Sequence, residues 1–401
     1  MATLLKNLKG KPSSSFQETS RPSVVWQGPC GGGPQGGVTQ GLIGRYLCCK
    51  ERFRLLVIEG LKPADQFNHR LEYGQLWHTC EEALAAGAPT RSPGWQEALL
   101  NYAQKLARRY PFQQQQVDHW YNVCKIQFPL YVDWWQRHPD VKDRLPLLQE
   151  QVFDAPYKLL SGRVVRLRGK WDSVDLIGTG AGAGVFLQEN KTKGEIVEVQ
   201  LKRQLTFDLQ TCLYLIALEE WGKSRDPKSA KPYLQTPVCG VRYNVIRRPL
   251  SGGAGSIRQH KPTKKNPRGE TQSQYYARLS DVIREDLPSY FARWRVEVSP
   301  ADLLAFRQQC LDPVLENICD DYEWWAWCAE NKADPFNNVE RSVMFGPGKR
   351  THQARHFREP YGIYNPLKEG GSADLDNYLA TGSEIGLQRT DNLFPELTEA
   401  A

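Results

Sequence analysis

The chain has 401 residues, of which 40% are hydrophobic and 24% are charged. That length and apolar content suffice for one large domain or two ordinary ones, and they exclude a wholly disordered protein. Lysine and arginine outnumber aspartate and glutamate by 52 to 45, and the net charge of +7 is compatible with a polyanionic partner without requiring one. No apolar run approaches the roughly 20 residues of a membrane span, and the N-terminal sequence lacks a signal-peptide pattern, so we expect a cytoplasmic protein.

The N-terminal part of the chain divides into two kinds of sequence. Residues 1–40 end in the Gly- and Pro-rich tract GPCGGGPQGGVTQG, which is too poor in large apolar residues to fold and predicts a disordered tail. From Ile43 to about Leu148, apolar and aromatic residues recur at the three- and four-residue spacing of helices. We therefore expect this stretch to form packed helices.

Strand signals follow. The segment GRVVRLRGKWDSVDLIG at 162–178 is rich in β-branched residues, and VFLQENKTKG at 185–194 comes after a glycine-rich turn, which together predict a β-hairpin. The apolar run 207–222 predicts a buried helix, and 237–249 predicts a further strand. We expect residues 41–250 to form an α/β (α+β) core with a central mixed sheet flanked by helices.

Two segments come after this core. Residues 251–272 are basic and contain prolines, which predicts a linker. Helical spacing returns from about Gln272 to Ala329, and the remaining residues carry few strong signals. We expect 273–401 to form a helical and irregular region that packs on the core.

Three side chains in the hairpin have the chemistry of a metal site. Glu189 and Lys191 are two residues apart in a strand, so they project from one face, and the neighbouring strand can place Asp172 beside them. Two carboxylates can hold a hard cation such as Mg²⁺ or Mn²⁺, which activates a water, while a lysine ammonium orients that water and offsets charge on a phosphate. The alternative is that all three are surface charges at strand ends.

Two charged neighbours receive other roles. Asp175 lies three residues after the candidate aspartate and so falls on the opposite strand face, which favours a surface or supporting role. Lys193 shares the face of Lys191 only if the strand continues past Thr192, and the approach of Gly194 predicts a turn there. We therefore expect removal of the Lys193 side chain to have little effect on catalysis.

Two helical segments carry polar residues that suit the same chemistry. The stretch YGQLWHTCEE at 73–82 places His78 and Glu82 one turn apart on one helical face, so His78 is a candidate metal ligand and Glu82 a candidate partner that orients it. Gln210 and Tyr214 are also four residues apart, on the predicted buried helix. The alternatives are a core histidine and two structural hydrogen-bonding side chains.

The order of these motifs, GxxxH, GxxD, (E)xK and QxxxY, resembles the RecB-like exonuclease branch of the PD-(D/E)XK nuclease superfamily. That branch includes CRISPR-adaptation exonucleases and phage recombination nucleases. The resemblance covers about residues 43–248 and implies a restriction-endonuclease-like core with helical insertions. Its GxxD spacing from Gly169 selects Asp172 as the first carboxylate.

The resemblance also implies a role for each matching residue. These are His78, Asp172 and Glu189 as metal ligands, Lys191 as the catalytic lysine, and Gln210 and Tyr214 as the pair that positions substrate and lysine. The implied protein is a DNA nuclease dependent on Mg²⁺ or Mn²⁺, an exonuclease acting on single-stranded or duplex ends in recombination, repair or phage DNA processing, with recombination or phage proteins as partners. The alternatives are a DNA-binding or assembly subunit that keeps the nuclease fold as a scaffold, and a restriction-type endonuclease.

The basic segment after the predicted third strand has a place in such a protein. Arg247, Arg248, Lys264 and Lys265 are candidates to contact the phosphate backbone of DNA without reading its sequence. A solvated linker explains the same charges equally well.

The cysteines depart from a feature of many relatives in that branch, which carry an iron–sulfur cluster held by one early cysteine and three late ones. Cys48 or Cys49 could be the early ligand. The late cysteines, Cys310, Cys319 and Cys328, are nine residues apart, and on a helix of about 3.6 residues per turn successive thiols then point to opposite sides. We predict no iron–sulfur cluster and interpret these cysteines as small buried hydrophobic residues.

Overall fold

The fold is taken from a computed structural model, which describes residues 36–48, 50–53, 57–58, 61–63, 67–85, 94–138, 144–179, 183–223, 238–249, 256–264, 267–331 and 387–389. The expectations for the N-terminal tail before residue 36, for Cys49 and Lys265, and for most of the chain after residue 331 lie outside these residues.

The described helices are, in chain order, α1 Gln40–Cys48, α2 Lys50–Phe53, α3 His69–Ala85, α4 Trp95–Arg109, α5 Gln114–Gln136, α6 Glu198–Leu205, α7 Leu209–Lys223, α8 Gln272–Glu285, α9 Leu287–Tyr290, α10 Pro300–Phe306 and α11 Asp312–Glu330. The described strands are β1 Leu61–Pro63, β2 Arg144–Lys158, β3 Val164–Ile177, β4 Gly184–Lys193, β5 Val238–Arg247, β6 Phe291–Glu297 and β7 Leu387–Arg389. None of these helices is long and apolar enough to cross a bilayer.

Five strands form one mixed sheet in the order β2-β3-β4-β5-β6. The predicted hairpin strands β3 and β4 pair antiparallel, β4 and β5 pair parallel, and β6 completes the sheet antiparallel to β5. A parallel pair needs a crossover connection, and α6 and α7 lie between β4 and β5 in the chain. The mixed sheet with flanking helices confirms the predicted fold class.

An aromatic core holds α3 against α5. Trp77 makes edge-to-face contacts with Phe128 and Tyr131, with ring centroids 5.2 and 5.1 Å apart, and Phe291 at the start of β6 lies 5.5 Å from Tyr131. All four rings are at most 5% exposed, and burial of each contributes about 2–3 kcal/mol to stability. Because Trp77 precedes His78, this packing fixes where α3 presents the candidate histidine.

Two strands of the five-stranded sheet were not expected from the sequence. β2 begins at Arg144, inside the stretch predicted to be helical up to Leu148, and β6 interrupts the predicted C-terminal helical block. The burial of Phe153, Ala155 and Tyr157 alternates with exposed neighbours, which is the period of a strand. Each of the two segments becomes a strand because it pairs with a neighbouring strand, and the local sequence does not reveal that pairing.

The chain forms two compact units. One comprises residues 65–157 and 167–311 and contains α3–α10 with most of the sheet, while the other comprises 1–64, 158–166 and 312–401. In the second unit the structure describes α1, α2 and α11 together with the antiparallel pair of β1 and β7. The candidate metal ligands, Lys191, Gln210 and Tyr214 all belong to the first unit.

Polar contacts stabilise the second unit. The Tyr46 hydroxyl of α1 donates to the Asp321 carboxylate of α11 at 2.5 Å, and the Lys50 ammonium lies 2.8 Å from the same carboxylate. The Arg163 guanidinium pairs with the carboxylate of Asp320 at 2.7 Å. These contacts tie α1 and the loop before β3 to α11.

Candidate active site

Asp172, Glu189 and Lys191 meet where β3 and β4 lie side by side. Just beyond the paired segment of β3, the Asp172 Oδ2 atom accepts a hydrogen bond from the backbone N–H of Asn190 at 2.8 Å. The Lys191 ammonium donates to Glu189 Oε1, also at 2.8 Å. The structure therefore brings together the three residues that strand periodicity selects.

Gln210 of α7 completes this arrangement. Its side-chain nitrogen donates to Glu189 Oε1 at 2.6 Å, and its oxygen accepts from the Lys191 ammonium at 2.8 Å. One turn later, the hydroxyl of the partly buried Tyr214 contacts the Gln210 side chain and the backbone of Lys170. The two polar residues predicted on this helix thus reach the candidate site, with Gln210 bridging the carboxylate and the lysine.

A glycine in β3 allows α7 to pack closely against the sheet. A Cβ atom added to Gly169 would lie 2.6 Å from the Phe153 ring and 2.9 Å from the Tyr214 ring, closer than real Cβ contacts permit. At Gly74 on α3 an added Cβ would lie 3.4 Å from the Thr192 hydroxyl of β4, which is an ordinary van der Waals contact and does not require glycine. The first residue of the GxxD motif therefore has a steric reason to be glycine, because α7 packs directly on it.

His78 and a residue outside the sequence motifs lie against Asp172. The His78 Nδ1 atom is 3.5 Å from Asp172 Oδ1. Glu150 of β2 joins them, and one ligand atom from each of these three side chains lies within 4.8 Å of the others. Among the described residues this is the one group of three or more His, Cys, Asp or Glu side chains close enough to share a metal ion.

Glu150 was missed by the sequence analysis. It lies in the part of β2 that follows the predicted helices, and its backbone has a φ of 47°, in the left-handed region that side chains other than glycine adopt with strain. Its carboxylate is 3.0 Å from the Lys170 ammonium. The only sequence signal is an acidic residue before the alternating QVFDAPYK, which has no spacing that ties it to Asp172 or Glu189.

The carboxylates of the site hold protons more tightly than usual. Burial raises the pKa of Asp172 to about 6 although the Asn190 N–H and Lys191 oppose the rise. Burial raises the pKa of Glu189 to about 7 against the opposing charge of Lys191, and the pKa of Glu150 to about 9 with a further contribution from Asp172. Acidic groups crowded in a buried site repel one another, and a bound cation relieves this repulsion.

The basic groups of the site respond differently. Burial lowers the pKa of His78, which keeps its imidazole neutral and able to bind a metal. Burial also opposes the charge of Lys191, but Glu189 outweighs it and raises the pKa of Lys191, so the ammonium persists. The site therefore presents a neutral imidazole and a charged lysine at neutral pH.

The residues present fit a divalent cation. Glu189 is 3% exposed, and its Oε2 atom is buried without a hydrogen-bond partner in the described part of the chain, while Oε1 is held by Lys191 and Gln210. An unpaired buried carboxylate oxygen is costly unless it binds a cation or proton. Carboxylate oxygens with one imidazole suit Mg²⁺ or Mn²⁺.

Glu82 does not lie where we expected it. Its carboxylate pairs with the Lys170 ammonium at 3.1 Å and is largely exposed, so it does not serve as the partner that orients His78. The adjacent Glu81 is instead the acidic group of α3 whose charge acts on His78. The helix turns by about 100° per residue, so the neighbour of the predicted position faces the site.

The structure also corrects the expected surface position of Asp175, on the opposite strand face. Asp175 is completely buried and not a surface residue. Its carboxylate accepts from Arg144 Nε at 2.7 Å, from Arg242 Nη2 at 2.9 Å and from the Ser173 hydroxyl at 2.6 Å. It belongs to a structural ion-pair network.

The candidate DNA-binding residues occupy different environments. Arg247 stacks over the Tyr290 ring at 5.3 Å, whereas Arg248 is 6% exposed and turned inward. Lys264 is exposed and lies on a loop that Glu270 holds in place. The Glu270 carboxylate accepts hydrogen bonds from the backbone N–H of His260 in this loop and from Arg278 of α8, both at 2.8 Å. The part of the predicted linker that the structure describes is thus fastened to α8.

The cysteines are dispersed over several elements. Cys48 at the end of α1 and Cys310 in the π-helical turn before α11 are partly exposed, and Cys319 and Cys328 of α11 are buried. Burial of the last two agrees with their interpretation as small hydrophobic residues. Absence of an iron–sulfur cluster stays a prediction.

Comparison with known proteins identifies the family. Among curated proteins no match to the chain is found. A family model of the PD-(D/E)XK nuclease superfamily matches residues 39–328, which include every described residue of the site above and well over half of the chain. On this match and on the mixed sheet with its paired strands, the protein belongs to the PD-(D/E)XK nuclease superfamily.

Proposed function

We propose that the protein is a divalent-metal-dependent deoxyribonuclease of the RecB-like branch, and that it acts as an exonuclease in recombination, repair or phage DNA processing. The observation that carries this proposal is the state of Glu189. One of its oxygens is fixed by Lys191 and Gln210, and the other is buried without a partner among the described residues, beside Asp172. A scaffold has no need of a strained acidic site with a charged lysine in it.

The proposed roles follow from these contacts. Asp172 and Glu189 hold the cation, and His78 and Glu150 supply further ligand atoms on the Asp172 side. When bound, Mg²⁺ or Mn²⁺ lowers the pKa of a coordinated water and offsets charge on the scissile phosphate. The ligand set contains one imidazole among oxygens, so both ions remain candidates.

The protein's own groups do the rest. The Lys191 ammonium, kept protonated by Glu189, donates a hydrogen bond to the attacking water and to a phosphate oxygen as negative charge grows there. Gln210 holds that ammonium in place, and Tyr214 supports Gln210. Arg247, Arg248, Lys264 and Lys265 contact the DNA backbone.

Digestion of end-labelled linear DNA and of closed-circular DNA tests this proposal. We expect Mg²⁺ or Mn²⁺ to support release of nucleotides from linear ends, closed circles to be resistant, and EDTA to stop the reaction. Asp172→Asn serves as the inactive control. Cleavage of closed circles would replace the exonuclease by the restriction-type alternative, and DNA binding without cleavage under all metal conditions would support the scaffold alternative.

A further inference from the structure

Arg248 is anchored beside the strand end that carries the candidate catalytic lysine. It directly follows β5, and its backbone N–H donates to the Lys193 carbonyl at 2.7 Å. Lys193 is the last residue of β4 and lies opposite Arg247 in the parallel pair. Since a strand rises about 3.3 Å per residue, Lys193 lies about 7 Å beyond Lys191 on the same side of the strand.

The Arg248 guanidinium lacks the partners that a buried charge normally has. The side chain is 6% exposed, and within the described residues Nε and Nη1 are buried without a hydrogen-bond partner. Burial lowers its pKa, and the positive charge of Arg70 lowers it further. The partly buried Arg144 and the buried Arg242, by contrast, donate to the Asp175 carboxylate. Arg248 is therefore a desolvated cation that stays costly until an anion joins it.

Other cations surround the same point. Besides burial, the positive charges of Lys191 and Arg248 lower the pKa of Lys193, opposed by Asp208. Arg70, in the first turn of α3, is exposed and close enough to act on Arg248. Like charges are thus collected at one place next to the candidate active site, which is unfavourable in the free protein and favourable once an anion is bound.

We propose that Arg248, Arg70 and Lys193 form a subsite for one phosphate of the nucleic-acid strand, next to the phosphate that is cleaved. The inference rests on the proposed function, since it takes DNA as the substrate. Its particular claim is a single enclosed phosphate, held by a guanidinium that hydrogen-bonds and is already desolvated. The 7 Å offset from Lys191 along the strand is comparable with the interval between successive phosphates. The phosphate is either a phosphodiester within the strand or a terminal phosphate monoester.

Substitution of Arg248 separates this role from a structural one. Arg248→Met keeps the apolar stem and removes the charge, so we expect the metal-free protein to unfold at the same or a higher temperature than the wild type. In the Asp172→Asn background, we expect affinity for a single-stranded oligonucleotide to fall roughly tenfold or more and the salt dependence to lose about one ion. Arg284→Ala, which removes an exposed arginine paired with Asp281 on α8, is the matched control and should bind within about twofold of its parent.

Neutral linkages locate the phosphate. Methylphosphonate substitutions placed one at a time along the oligonucleotide should reveal one position where the loss of charge weakens binding to the parent but adds nothing to Arg248→Met. A terminal-phosphate series, with and without a phosphate at each end, decides between an internal and an end phosphate. Equal binding by Arg248→Met and its parent overturns the proposal, as does a methylphosphonate profile that is the same for both proteins. If Arg248→Met unfolds at a lower temperature than its parent, Arg248→Gln takes its place, and its methylphosphonate profile is compared with that of the parent.

The subsite and the proposed function fail in different ways. DNA cleavage by the wild type with unchanged binding by Arg248→Met removes only the subsite. If the wild type neither binds nor cleaves DNA, the proposed function fails, and the subsite as a nucleic-acid site fails with it. In that case the unfolding temperature is measured with inorganic phosphate. A rise for the wild type but not for Arg248→Met would show an anion site that serves a phosphate ligand other than nucleic acid.

Discussion

Asp172 and Asp175 are three residues apart on one strand, with side chains 11% and 0% exposed, yet the structure treats their carboxylates in opposite ways. Asp175 accepts hydrogen bonds from two arginines and a serine, so its charge is compensated within the fold. Asp172 accepts one backbone N–H and the charges of Lys191 and Lys170 act on it, yet burial among acidic neighbours such as Glu150 and Glu189 still raises its pKa. A compensated carboxylate stabilises the fold, whereas an uncompensated one is available for a ligand.

The largest expected effect is on DNA cleavage, when the Asp172 carboxylate is replaced by an amide. Asp172→Asn should reduce metal-dependent DNA cleavage by on the order of 10³-fold or more, because a metal ligand contributes several kcal/mol to the transition state. The thermal unfolding temperature without metal should not fall. Rates on end-labelled DNA and a thermal melt in EDTA measure the two effects. Near-normal cleavage by the variant would contradict the assignment of Asp172 as a ligand.

The same change at the compensated position should have the opposite profile. Asp175→Asn leaves the positive charges of Arg144 and Arg242 without their carboxylate, and we expect a loss of about 3–5 kcal/mol in the free energy of unfolding. Below the unfolding temperature, the remaining folded protein should still bind metal. Denaturant titration gives the stability. A variant as stable as the wild type would show that this network does not hold the sheet together.

Lys191→Ala tests the charged group between the carboxylates. We expect a loss of about 3 kcal/mol of transition-state stabilisation, which is more than 100-fold in rate, because a donor aimed at developing charge is removed. Metal affinity should change little. Lys223→Ala, at an exposed position paired with Glu220, is the control. Equal damage from both changes would mean that the effect is not specific to the site.

Lys193 is not suitable as that control, contrary to the expectation from the sequence. β4 continues past Thr192 and ends only at Lys193, which pairs with Arg247. Its side chain therefore lies on the face of Lys191, where the charge of Lys191 acts on it.

Glu150→Gln tests the ligand that the sequence did not indicate. If Glu150 helps to bind the cation, Mn²⁺ affinity in the absence of DNA should fall about tenfold. Calorimetric titration of Mn²⁺ measures the affinity. Glu82→Gln is the matched control, since Glu82 also pairs with Lys170 but is largely exposed. Equal affinities of the two variants would leave Glu150 as a structural partner of Lys170.

The smallest expected effect is on stability as a function of pH. The folded pKa values of Asp172 and Glu189, about 6 and 7, exceed the unfolded values of about 4. Their contribution is therefore fully present below pH 4 and is lost as the pH rises through these folded values. In EDTA, the wild type should lose on the order of 1 kcal/mol more stability than Asp172→Asn between pH 4 and pH 7, measured by denaturant titration. Mn²⁺ should reduce this difference.

Local sequence was sufficient for part of the fold and site. The hairpin, the helix α7 and the strand β5 follow from period and composition, and the two-residue spacing of Glu189 and Lys191 sets their common face. Contacts made by residues far apart in sequence were not accessible. Glu150 belongs to a strand that pairs after a long helical region, and the choice between Glu81 and Glu82 depends on how α3 rotates against its aromatic core.

The register of β4 has a consequence for chain length. Because side chains alternate, inserting or deleting one residue at Gln188 would turn both Glu189 and Lys191 to the other face of the strand, the face that Gln188 and Asn190 now occupy opposite Arg242 and Asn244. The glycine-rich connection between Ile177 and Gly184 carries none of the candidate site residues, and lengthening a loop costs little free energy. We therefore expect viable insertions and deletions in a library of this protein to be found in that connection, and none to be found within the QENK segment.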